Sequence, residues 1–235
     1  MGQSEAFNLS NNQIQVLLTG KLGDGCLTVP RSSTTQSHYS TNCIHKEYLE
    51  FKQTLLGGLA NKIGYKDHNG YSQKPIYTLG SSPHPFITYL RNLSIEDTLK
   101  YINDLGIALW FYDDGSLHKN KLFYNLNTQA FSREINEDVF VPFFKNYGIT
   151  AKTTIERKKD GREFWYLRIS KYEGAYEISQ ILSKYKIDCY TYKIWSSETI
   201  QNWSKMQEHL IHENMVNCSN KMKSIILKKI EQGII

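Results

Sequence analysis

Two nine-residue stretches carry the side chains best suited to chemistry: Leu17 to Gly25 (LLTGKLGDG) and Ile107 to Gly115 (IALWFYDDG). Each reads as the last turns of an apolar helix closing on Asp-Gly. Glycine inside a helix costs about 1 kcal/mol against alanine, so Gly20 and Gly23 are poor choices for a lone helix. They suit a helix pressed against a neighbour, because small residues four apart let another backbone come close. The first stretch offers a hole at Thr19, Gly20 and Gly23; the second offers bulk at Leu109, Trp110 and Phe111. Packed side by side, the two helices would bring Asp24 and Asp114 together at their C-terminal ends. The helix dipole disfavours negative charge there, and two adjacent carboxylates repel. A divalent cation compensates both. Mg²⁺ binds through one or two carboxylates and keeps its waters. Metal held between carboxylates stabilises the attacking and leaving oxygens of a phosphoryl displacement.

The elements that must position these carboxylates fall into a repeat. The Asp-Gly pairs lie 90 residues apart, and the hairpin glycines Gly70 and Gly161 lie 91 apart. The first copy reads as a helix over 11–22, extended segments at 26–30 and 38–44, and a helix over 46–59. Two strands, 61–66 and 74–79, then meet at His68-Asn69-Gly70, a hairpin signal, before a helix over 84–92. Ser94, with Asp97 three residues on, is a good cap for a single long helix reaching Asp113. The second copy reads as a strand over 121–129, a helix opening at Ser132, strands 152–158 and 163–170 joined by Lys159-Asp160-Gly161-Arg162, and a helix over 172–185. More helix is expected over 195–235, its last part amphipathic and lysine-rich. The expected organisation is one repeat over 1–93, a second over 94–195, and a helical extension over 196–235.

Composition narrows the function. The chain has 235 residues, 40% hydrophobic and 22% charged, with a net charge of +5. That suits a packed core and is compatible with a polyanionic partner. The four cysteines, Cys26, Cys43, Cys189 and Cys218, form no Cys-x-x-Cys pair, which argues against zinc and against a disulfide framework. No basic segment followed by an apolar run opens the chain, and no apolar run approaches the roughly 18 residues of a membrane span. The expectation is an intracellular protein with no membrane partner.

The paired stretches resemble the motifs of the LAGLIDADG homing endonucleases in their single-chain, pseudo-symmetric form. At 17–25, Thr19 stands where the family usually has glycine and Lys21 lies inside the helix; the Asp-Gly end is intact in both copies. The resemblance implies an α+β fold: two αββαββα repeats whose antiparallel four-stranded sheets form a saddle over double-stranded DNA. It implies that Asp24 and Asp114 bind metal, with Mg²⁺ as the cofactor, and that the main-chain carbonyls of Gly23 and Asp113 reach metal too. It implies that Gln129 organises active-site water. The first-copy equivalent lies among Ser40, Thr41 and Asn42. Lys193 matches a basic residue peripheral to the metals, where its charge would stabilise the transition state or help activate water. The first copy offers only Lys100 in its place.

Strand alternation supplies a DNA-reading face. In 163–170, Trp165, Leu167 and Ile169 share the core side, and Phe164, Tyr166 and Arg168 the other. In the partner strand Lys152, Thr154, Glu156 and Lys158 lie opposite the core, with Arg162 in the turn. In the first copy Lys66, His68 and Lys74 flank the corresponding hairpin. Such side chains contact phosphates and read base edges in a major groove. The expected activity is a monomeric, Mg²⁺-dependent, site-specific double-strand cleavage of a long DNA target. The alternatives on the same fold are an intron maturase that binds intron RNA and a non-cleaving DNA-binding protein.

Overall fold

The computed structural model describes residues 9–30, 35–67, 75–118, 123–170 and 172–206. Helix α1 (Asn11–Leu22) opens on a capping box in which the Ser10 hydroxyl accepts from the Gln13 amide and Gln13 Oε1 accepts from the Ser10 amide. It runs straight into strand β1 (Gly25–Thr28), followed by β2 (His38–Cys43), α2 (Lys46–Leu56), β3 (Gly64–Lys66), β4 (Ile76–Gly80) and α3 (Pro85–Asn92). A short helix, α4 (Ile95–Leu99), leads to the second copy: α5 (Asp104–Asp114), β5 (Gly115–His118), β6 (Phe123–Leu126), a wide-turn helical segment (Ile135–Phe140) continuing into α6 (Val141–Asn146), β7 (Lys152–Arg157), β8 (Glu163–Ile169) and α7 (Tyr172–Lys184). The segment Asp188–Lys193 forms a tighter helical turn after α7.

The two sheets have the same topology, β1-β2-β4-β3 and β5-β6-β8-β7, with every pairing antiparallel. The α+β architecture of two αββαββα repeats is therefore observed. Met1–Ile194 form one compact unit and Trp195–Ile235 a second, in which 197–206 are helical.

Several sequence expectations change. The strand expected over 121–129 is the shorter β6 (Phe123–Leu126), and β5 (Gly115–His118), which lies outside the expected strands, precedes it. The helix expected from Ser94 to Asp113 is broken into α4 and α5. Ser94 caps α4 as expected, its side chain accepting from the Asp97 amide. The side chain of Asn103 then accepts from the amides of Leu105 and Gly106, starting a new helix. Gln15 of α1 fastens this junction, donating to the Tyr101 carbonyl at 2.8 Å and accepting from the Asn103 amide at 3.0 Å.

Helices α1 and α5 lie at the centre of the first unit. Val16, Leu17 and Leu18, and every residue from Ile107 to Tyr112, are completely buried. A helix apolar on all sides belongs inside a core. The helices run side by side in the same direction. At one end a Cβ on Gly106 would sit 2.3 Å from Gln15 Oε1; at the other a Cβ on Gly23 would sit 2.9 Å from Asp114 Oδ2.

The expected fit of Trp110 and Phe111 into the α1 glycines is not what forms. Trp110 packs on Phe140 and Phe144, and Phe111 on Tyr124 and Phe144, all in the second copy. Gly20 instead faces Tyr39 of its own sheet: a Cβ there would lie 2.5 Å from the ring. Adjacent helix positions do not share a face, so the bulky residues serve the core beneath their own sheet. Among the described glycines, Gly23 and Gly106 are the ones that meet the facing motif helix.

Candidate active site

Both motif helices end at one level, and the chain leaves each directly into a sheet. The turn at α1 is tight: a Cβ on Gly25 would lie 2.4 Å from the Cα of Gly20. The two departures are anchored alike. Thr41 Oγ1 donates to the Asp24 carbonyl at 3.1 Å, and the Asn127 amide donates to the Asp114 carbonyl at 3.0 Å. The main chain is thereby committed, and the carboxylates are left to the space between the helix ends. Asp24 is exposed and Asp114 half-buried. Among the described residues neither carboxylate has a hydrogen-bond or ion-pair partner.

Their electrostatics follow. Burial raises the Asp114 pKa to about 7, with further upward pushes from Asp24 and Asp113. Asp24 is also raised, by burial and by Asp113, against the pull of Lys52 and Lys193. Two unpaired carboxylates that resist ionisation side by side are a natural seat for a divalent cation. Among the described residues no cluster of three or more His, Cys, Asp or Glu side chains could hold a metal. The donors on offer are thus two carboxylates and neighbouring carbonyls, a hard, oxygen-only set that fits Mg²⁺ with its retained waters.

The acid before Asp114 is used differently. Both oxygens of Asp113 take hydrogen bonds from Lys52 Nζ, at 2.8 and 3.0 Å, and Oδ1 accepts from the Tyr48 hydroxyl at 2.6 Å. This ion pair is dry, with Lys52 and Asp113 side chains 0% and 1% exposed. Burial by itself would lower the Lys52 pKa, but Asp113 overrides it and holds the amine charged. The Asp113 side chain is committed to this buried ion pair. Sequence reading missed Lys52 and Tyr48. The signal was present: Tyr48, Leu49, Lys52 and Leu56 are the buried residues of α2, a lysine inside an apolar stripe.

Lys193 is 6% exposed rather than at the surface. Its amine donates to the Phe111 carbonyl at 3.0 Å and the Tyr112 carbonyl at 2.7 Å, the last turn of α5. A cation satisfies carbonyls left open at a helix C-terminus and suits the dipole there. Burial lowers its pKa to about 8, while Asp113, Asp114 and Asp24 pull upward. Lys193 and Asp24 line one cleft of about 340 Å³. Lys100 is exposed and paired with Asp97 at 2.7 Å; it takes no part. Lys21, the charge inside α1, points away from α5 and donates to the Arg91 and Leu93 carbonyls at the end of α3.

Gln129 lies in a separate pocket with Asn125, Asn127, Glu156 and Tyr166. In the ladders Gly25 pairs with Thr41 and Gly115 with Leu126, so Thr41 corresponds to Leu126. Gln129 lies beyond the β5–β6 ladder, in a turn before the next helix that is longer than its first-copy counterpart, and its equivalent stays among Ser40, Thr41 and Asn42.

On the second sheet, register sets Lys152 opposite Arg168, Thr154 opposite Tyr166 and Glu156 opposite Phe164, the face expected from alternation. Arg168 donates to Asn125 at 3.1 Å and Tyr166 at 2.8 Å. Lys158 pairs with Glu156 at 2.5 Å and Arg162 with Asp160 at 2.8 Å, all well exposed. On the first sheet Lys66 is exposed on β3; His68 and Lys74 lie outside the described residues.

Residues 14–176 match the model of the LAGLIDADG DNA endonuclease family. The fold is similar to the homing endonuclease I-WcaI, a structure solved bound to its DNA recognition sequence: TM-score 0.65, 17% identity, covering 82% of this chain and 90% of that one. The chain is 25% identical over 181 residues to uncharacterized protein MJ1098 of Methanocaldococcus jannaschii, covering 74% of this chain and 69% of that protein. It is 26% identical over 96 residues to probable intron-encoded DNA endonuclease 3 of Mycosarcoma maydis, covering 41% and 66%.

Proposed function

The chain belongs to the LAGLIDADG DNA endonuclease family, and from that premise we propose that it is a homing endonuclease making site-specific, Mg²⁺-dependent double-strand breaks in DNA. The observation that carries this reading is the pair of carboxylates, Asp24 and Asp114, without a hydrogen-bond or ion-pair partner among the described residues, at the abutting ends of α1 and α5, with Asp114 held near a pKa of 7. A DNA-binding scaffold that never cut would gain nothing from two acids facing phosphate.

Asp24 and Asp114 would hold the cation, with the main-chain carbonyls of Gly23 and Asp113 as further oxygen donors. Mg²⁺ bound there supplies Lewis-acid stabilisation of the phosphate and acidifies the attacking water. Lys193 sets a positive charge beside the reacting phosphate, where it offsets charge that develops in the transition state. With a pKa near 8 it is mostly protonated at neutral pH. Gln129 orients water on the other flank. Lys66, His68, Lys74, Lys152, Thr154, Glu156, Lys158, Arg162, Tyr166 and Arg168 contact the duplex. The repeats 1–93 and 94–195 each serve one half of the target, with 196–235 an extension. Because both motifs lie in one chain, a monomer suffices, acting inside the cell.

The test is incubation with DNA bearing the uninterrupted junction of the host gene, with Mg²⁺ and with EDTA. Cleavage only with Mg²⁺ supports the reading. Absence of cleavage together with tight binding to the intron RNA would replace it with the maturase.

A further inference from the structure

The cleft that holds Asp24 has walls unlike those of its counterpart in the other half. Its lips are Ile44, 47% exposed, and Tyr192, 51% exposed. Its inner wall is Tyr190, fixed edge-on by His45 at a ring separation of 5.2 Å and by Tyr48 at 5.1 Å, and stacked on Tyr112 at 5.3 Å. The exposed amide of Asn42 completes the rim. The register equates Thr41 with Leu126, at the point where each chain leaves its ladder beside the carboxylates. At the matching place the second half has a pocket of about 310 Å³ lined by polar groups and Tyr166. The fold alone does not require an aromatic cleft there; it is built where Asn42 and Ile44 of the first copy face Tyr112, Tyr190 and Tyr192 of the second.

Exposed flat and branched apolar surfaces on either side of a slot accept an aromatic ring, and an amide at the rim can pair with a ring edge. Lys193 and Asp24 meet in this cleft and their charges offset, so its apolar and aromatic walls decide the occupant: the uncharged part of a nucleotide, with its phosphate left at the rim. We propose that this cleft receives one unstacked base of the DNA strand running past Asp24, held between Tyr192 and Ile44 with its edge at Asn42. The inference rests on the endonuclease reading. Extruding a base is least costly where the base is already unpaired, so the site favours distorted over regular duplex.

Binding of a fully paired duplex and of the same duplex with a single unpaired adenine, in Ca²⁺ to prevent cleavage, tests it. The wild type is expected to bind the bulged duplex about tenfold tighter, the scale of stacking one base on aromatic side chains. In Tyr192→Ala/Ile44→Ala the ratio falls to near one, and Asn42→Ala lowers it less. Equal binding of both duplexes by the wild type, or an unchanged ratio in the double variant, overturns the cleft assignment and leaves the endonuclease reading standing. Failure to bind either duplex overturns both. A stronger preference for a bulged RNA duplex than for the bulged DNA overturns the choice of DNA as occupant.

Discussion

The open face of the first sheet presents Cys26, Ser40, Asn42 and Thr78, brought into line by the β1–β2 and β2–β4 registers, with Lys66 at its edge. The same face of the second sheet presents Asn125, Arg168 and Lys152 in one row and Tyr166 and Thr154 in the next. Around the carboxylates the halves differ again. Lys52 comes from α2 of the first copy and Lys193 from the turn after α7 of the second, yet both act on one flank. That flank is tied together by the Asp188 amide donating to Glu47 at 3.1 Å and by Cys43 meeting the Tyr190 hydroxyl at 3.6 Å. The opposite flank has Gln129 and Glu156. The backbone is repeated because two helix ends must meet. The side chains are not repeated with it, and under the proposed endonuclease reading each half meets its own half of the target. Two lysines on one flank stabilise both acids, since the carboxylates share a single field.

The most severe way to break the comparison is at the shared centre. Asp24→Asn and Asp114→Asn should each lower cleavage of both strands by at least about a hundredfold while DNA binding, measured by filter retention, is kept. Full residual activity in either would mean that the halves do not share one centre.

Lys52→Met comes next. It strands the buried Asp113 carboxylate, and breaking a buried pair by removing one partner costs about 3–5 kcal/mol. Urea unfolding should register that loss, and Lys52→Met/Asp113→Asn should recover much of it. No counterpart exists at Gly23, so the penalty belongs to one half.

Lys193→Met and Gln129→Ala sharpen the contrast between flanks. With each strand end-labelled separately, Lys193→Met should slow one strand by on the order of tenfold more than the other, and Gln129→Ala should bias the opposite strand more weakly. Equal slowing of both strands by both variants would erase the distinction.

The smallest effect is on stability against pH in the absence of divalent cations. Asp114 is raised to about 7 from the ordinary carboxylate value of 3.8, so between those values the native state binds the extra proton. Stability contributed by this group is present below about pH 4 and is lost as pH rises through 7. Lys193, lowered to about 8 from 10.5, acts oppositely: the unfolded state binds more protons between 8 and 10.5, and stability recovers across that window. Thermal melts from pH 4 to 7 should decline in the wild type and flatten in Asp114→Asn.

Much of this was legible in the sequence. The duplicated Asp-Gly spacing gave the repeat, strand alternation gave the faces of β7 and β8, and the glycines of α1 announced close packing. What they packed against was not legible, because Gly20 serves Tyr39, a contact set by the sheet rather than by helix spacing. The break between α4 and α5 depends on Gln15 bonding across 88 residues to Asn103, beyond any local signal. Lys52 stood out only as a charge in an apolar stripe, and its partner Asp113 could be matched to it only once α2 was laid against α5.

The central claim is that Asp24 and Asp114 together make the cation site. Electron paramagnetic resonance of free Mn²⁺, titrated into the protein–duplex complex, tests it most directly. Uptake of Mn²⁺ by the wild type, lost in Asp24→Asn/Asp114→Asn with duplex binding intact, is the predicted result. Equal uptake by the double variant would contradict it.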